Sequence, residues 1–135
     1  MTHQRINPPS LFDSAPYGFT QVVKSQGGTT IYCAGQTSWD KSGKLIGEGD
    51  FAVQCREALQ NVGRALAAAG ATPKDLVNLR IYVVNYTPDY LPIISQAITE
   101  FCGPDHLPAN TLLGIATLAL PEFMVEIEAT AVIAA

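Results

Sequence analysis

The chain has 135 residues, 47% hydrophobic and 15% charged, with a formal net charge of -4. That length suits one domain, residues 1–135, large enough to bury a real core. The acidic balance leaves no basic stripe for nucleic acid or an anionic membrane, and no apolar run reaches the length of a membrane span.

In chain order, residues 1–7 lack a signal-peptide core, so a cytoplasmic location is expected. Pro8, Pro9 and Pro16, with Asp13 and Ser14, describe an ordered extended arm over residues 7–16. A strand is expected over 19–24, and Gly27-Gly28 make a turn consistent with a hairpin into a second strand over 29–34. Asp40 to Lys44 form a polar turn. Asp50 is an N-cap for a long helix, in which Ala52, Cys55, Leu59, Val62, Leu66 and Ala69 recur at three-and-four spacing, and Gly70 supplies the stop. Residues 77–84 form a further strand.

Thr87-Pro88 predicts an N-cap with proline at N1 for a second helix running to about Phe101, with Pro92 near its first turn. Two closing strands are expected over 110–118 and 123–132, broken at Pro121. The order β-β-α-β-α-β-β has too few βαβ alternations for a doubly wound sheet. It predicts an α+β sandwich, a mixed sheet with two helices on one face. Segment 112–118 is apolar on both of its faces and surface charge is sparse, so a neighbouring copy is expected to cover part of the sheet.

Cys33, Cys55 and Cys102 are widely spaced and odd in number, which reads as reduced thiols. His3 and His106 have no partner at metal-ligand spacing, and no nucleotide or nucleophile-elbow motif is present, so neither a metal nor a cofactor is expected.

The last strand carries the sharpest signal. In Val125-Glu126-Ile127-Glu128-Ala129-Thr130, residues two apart share a face. Two carboxylates therefore stand opposite an apolar row, either on a solvated sheet face or lining a pocket. Together with Ile31-Tyr32-Cys33-Ala34-Gly35-Gln36, the helix around Gln54, the strand 76–84 and Pro108-Ala109, this strand resembles the Rid family, the reactive-intermediate (enamine/imine) deaminases, over essentially the whole chain.

The resemblance implies a chorismate-mutase-like fold and a barrel-like homotrimer with sites in the clefts between subunits. It implies that Glu126 positions or activates water, whereas Glu128 falls outside the catalytic position. The family's active enzymes read Pro-Ala-Arg before the penultimate strand, their arginine clamping a substrate carboxylate. Here the third residue is Asn110, a neutral amide that either contacts ligand or merely opens the strand. The family's site tyrosine corresponds to Phe19 or, with a two-residue insertion, to Tyr17. Its site cysteine corresponds to Leu112, and Ala34 stands for a common serine ahead of Gly35, whose backbone can face a ligand. Trp39 either lines the cleft or seals a subunit contact, and Arg80 either replaces the lost charge or, as expected, faces solvent. The cleft so described is more apolar and less anion-seeking than the family pattern.

Two functions follow. One is a hydrolase that adds water to a small enamine or imine and releases ammonia. The other is a non-catalytic trimeric protein that holds a small metabolite in the same cleft.

Overall fold

The computed structural model describes residues 3–135; Met1 and Thr2, the start of the segment read for a leader, lie outside the described residues. The elements are β1 (His3–Ile6), β2 (Val22–Ser25), β3 (Thr29–Gln36), α1 (Phe51–Ala68), β4 (Leu76–Val84), α2 (Tyr90–Cys102), β5 (Ala109–Ile115) and β6 (Val125–Ile133). The main sheet has the order β3-β6-β4-β5. Its β4–β5 pair is parallel and the others are antiparallel. A parallel neighbour needs a long crossover, and α2 supplies it between β4 and β5.

Both helices cover one face of this mixed sheet, as the sequence implied. Leu59, Val62 and Leu66 of α1 and Ile94 and Ile98 of α2 meet Leu79, Ile81 and Val83 of β4 and Val125 and Ile127 of β6. The opposite face is open in the single chain: Tyr32 is 81% and Leu113 42% exposed. No helix among the described residues is long and apolar enough to cross a membrane.

Helix α1 forms as its pattern predicts. The Asp50 side chain accepts from the Val53 amide, a cap worth about 1 kcal/mol. Cys55, Leu59, Val62 and Leu66 are buried, whereas Ala69 lies beyond the last turn and is exposed. One buried residue breaks the apolar pattern. Gln54 is fully buried and uses its whole amide, donating to the carbonyls of Gly47 and Glu122 and accepting from the Met124 amide. It ties the helix to the approach to β6.

Several expectations need correction. The Gly27-Gly28 turn does not close a hairpin between β2 and β3. Strand β2 pairs with an unforeseen strand, β1, and β3 pairs with β6. Residues 19–20 are not strand: the Thr20 amide and hydroxyl are taken by the carbonyls of Pro108 and Leu107. The arm over 7–16 leads into a 3-10 turn at Ala15–Tyr17. Helix α2 starts at Tyr90 rather than after Thr87, because the Thr87 and Pro88 carbonyls are used in turns to Tyr90 and Leu91. Pro92 then sits in the first turn, where a missing N–H costs nothing. The closing strands end earlier and later than expected, at Ile115 and Ile133.

All three cysteines are free, with Cys55 and Cys102 buried and Cys33 half-buried. Burial pushes the Cys55 and Cys102 thiols each up to about 12, because the low-dielectric core disfavours the thiolate. Alkylation of the folded protein at pH 8, followed by mass spectrometry, should leave these two unmodified until denaturant is added.

Candidate functional site

Register places the two glutamates of β6 on the open face of the sheet. Glu126 lies opposite Tyr82 of β4, and Glu128 lies opposite Arg80. A cleft of about 320 Å³ is lined by Gly35, Tyr82, Leu118, Glu126 and Glu128. The two carboxylates differ in what they can still do. The Tyr82 hydroxyl donates to Glu128 Oε1. Donating that bond to the carboxylate raises the phenol's pKa above the ordinary tyrosine value, an effect that Arg80 opposes. The folded pKa being raised, the pair is intact below the ordinary value and is lost only as pH climbs through the folded one. Glu128 is therefore engaged at neutral pH. Glu126, half-buried, has no hydrogen-bond partner among the described residues. Of the two it is the carboxylate free to meet a ligand or a water.

Gly35 explains how that carboxylate is seated. Strand β3 departs from regular pairing between Cys33 and Gln36, and the irregularity brings the Gly35 backbone against Glu126. A side-chain carbon at Gly35 would overlap the Glu126 carboxylate, so the close approach needs glycine. Gly35→Ala is expected to displace Glu126 and to lower any activity that depends on it about as much as removing the carboxylate, while the melting temperature moves little; parallel activity and melting measurements check this.

The residues grouped around Asn110 lie elsewhere. In register, Asn110 pairs with Leu79 and Leu112 with Ile81, so both point to the helix side of the sheet. There they join Tyr17, Phe19, Phe12, Ile81, Leu91 and Ile94 around a cleft of about 450 Å³. Phe19 and Tyr17, the two alternatives for one family position, both line it. The arm carrying them is pinned by Gly18, at φ 82°, where a Cβ would come within 2.8 Å of the Ser95 carbonyl oxygen. Phe12 meets Tyr17 and Phe19 edge-on, with centroids 6.0 Å away in each case.

Trp39 lines neither cleft. It packs edge-on against Phe123 at 5.0 Å and borders a groove of about 640 Å³ that shares Gly35 with the Glu126 cleft. Arg80 is exposed, as expected. Within one chain, then, Glu126 and Gly35 come together and Asn110, Leu112, Phe19 and Tyr17 come together, on opposite faces of the sheet. Tyr82 was missed in the sequence, although its two-residue spacing from Arg80 on β4 puts it on the glutamate face. Phe12, Leu91 and Ile94 were missed because only the tertiary fold brings arm and α2 to β5. Among the described residues no cluster of histidine, cysteine and carboxylate side chains could hold a metal ion.

The sequence matches the profile of the family described as endoribonuclease L-PSP over residues 12–133. A solved Rid-family protein of unknown function from Yersinia pestis is 41% identical, superposes with a TM-score of 0.93, and is matched over 98% of this chain and 100% of that one. The 2-iminobutanoate/2-iminopropanoate deaminase of Rattus norvegicus is 34% identical over 104 residues, 76% of this chain and 72% of the rat protein. The 3-aminoacrylate deaminase RutC of Acinetobacter baylyi is 29% identical over 124 residues, 92% of this chain and 90% of that one. With its profile, fold and key segments in agreement, the chain belongs to the endoribonuclease L-PSP family, that of the Rid and RutC proteins.

Proposed function

We propose that this protein is a divergent Rid-family hydrolase that adds water to a small enamine or imine and releases ammonia. The observation that carries the reading is the unpartnered Glu126 carboxylate seated against Gly35, beside a second glutamate already engaged by Tyr82. Glu126 accepts a proton from the attacking water as its oxygen bonds to the imine carbon, then returns it to the departing nitrogen. The relatives named as imine and aminoacrylate deaminases support the reaction class.

The two clefts on opposite faces of one sheet favour an assembled site. A cyclic homotrimer brings the Glu126 face of one copy against the Asn110 edge of the next, closing one cleft per interface. The open sheet face, with Tyr32 and Leu113 exposed, supplies apolar surface for that contact. Ligand and neighbouring copies are the only partners in this reading, in the cytoplasm, with no metal or cofactor.

Asn110 favours a second reading. A neutral amide stands where the family's active enzymes carry arginine, which suits a trimer that binds a metabolite without turnover. The test is ammonia release from freshly generated 2-iminobutyrate and from larger imines, measured against the spontaneous rate. Acceleration supports the hydrolase. Saturable binding with no acceleration, unaffected by Glu126→Gln, supports the binding protein.

A further inference from the structure

The cleft around Asn110 is built to a particular chemistry. Phe12, Phe19, Leu91, Ile94 and Leu112 make its walls, and no cation is among its lining residues. The Asn110 amide is half-buried and makes no hydrogen bond among the described residues. The nearby cations are committed elsewhere. Arg5 donates to the carbonyls of Leu107, His106 and Lys74, and within the same chain Arg80 lies on the other face of the sheet, opposite Glu128. The aromatic rim is held in place: Phe12 packs edge-on against two rings, and its own carbonyl accepts from the Gln21 side chain.

A carboxylate placed here would lose water and gain no counter-charge from this chain's lining residues, which is costly. A neutral carbonyl or amide can accept from the Asn110 NH₂ while an apolar group fills the aromatic and aliphatic walls. The volume, about 450 Å³, holds a branched or aryl side chain. From this we infer that the cleft selects uncharged imines with a branched or aromatic apolar group, the neutral end bonded to Asn110, and discriminates against 2-imino acids. The inference rests on the hydrolase reading for what happens to the imine carbon, and on this cleft alone for which molecule enters.

Binding and turnover are therefore measured separately. Calorimetry on the full-length protein compares two stable ketone analogues, 4-methyl-2-oxopentanamide and 4-methyl-2-oxopentanoate. The amide is expected to bind at least about tenfold more tightly, reflecting the cost of desolvating a carboxylate with no counter-charge among this chain's lining residues. Asn110→Arg should reverse that order. Should that variant fail to fold, Leu112→Lys places a cation in the same cleft and should move the ratio the same way. Equal or tighter binding of the carboxylate by the wild-type protein, or no binding of the amide, overturns the inference. Amide preference without ammonia release from any imine keeps this inference and removes the hydrolase reading. Faster ammonia release from 2-iminobutyrate than from the neutral imine of the same skeleton does the reverse.

Discussion

Replacing Glu126 with glutamine is expected to lower imine hydrolysis by about 10²–10⁴-fold, the range for losing a positioned acid–base group. The change keeps the shape that fits against Gly35, so the loss falls on proton transfer rather than on packing. Since the carboxylate has no hydrogen-bond partner among the described residues, no protein bond is broken and the melting temperature should hold. Glu128→Gln makes the contrast. That carboxylate is already engaged, accepting from Tyr82, so hydrolysis should fall by less than about tenfold. Steady-state ammonia release by the two variants, each with a thermal melt, separates the roles. Equal effects of both substitutions would remove the distinction between the glutamates.

Gln54→Leu is expected to be the most destabilising of these changes. It leaves the carbonyls of Gly47 and Glu122 and the Met124 amide without the partners that the buried side chain provides. The Gly47 carbonyl keeps its bond from the Asp50 amide, so two groups lose their partner, and at about 1–3 kcal/mol each the loss is on the order of 2 kcal/mol or more. That is a large share of the roughly 5–15 kcal/mol that holds a typical fold together. Gln60→Leu, on the exposed side of the same helix, should stay within about 0.5 kcal/mol. Denaturant unfolding of both variants checks the difference, with protein concentration fixed because assembly would add to apparent stability.

The physical reason that α1 and the last strand were legible in the sequence is periodicity. Cys55, Leu59, Val62 and Leu66 recur at helical spacing, and Val125, Ile127 and Ala129 alternate with Glu126 and Glu128; both patterns became the buried faces observed. Gln54 was illegible for the same reason. A glutamine at an interior position reads as polar surface unless the groups that satisfy it are known, and the Glu122 carbonyl and Met124 amide come from a segment distant in sequence. The pairing of β2 with β1 rather than β3 was equally hidden, because short strands such as His3–Ile6 carry little alternation and the Gly27-Gly28 turn suggests a hairpin whether or not one forms. At the candidate site, the residue types were readable but not their distribution. Strand alternation puts Glu126 with Glu128, yet which one is free depends on the Tyr82 hydroxyl across the sheet. That Asn110 and Glu126 face opposite ways follows from the β4–β5 and β4–β6 registers, which no local pattern encodes.

The two-faced arrangement makes the account's central claim testable in one mixing experiment. Glu126→Gln and Asn110→Asp proteins, each slow alone, are dissociated, mixed in equal amounts and reassembled, with co-assembly verified by native mass spectrometry. If catalysis uses Glu126 from one copy and Asn110 from the next, random mixing gives about one interface in four with both residues intact. Ammonia release should then recover to roughly a quarter of the wild-type rate. Mixed oligomers no faster than either parent would contradict the account.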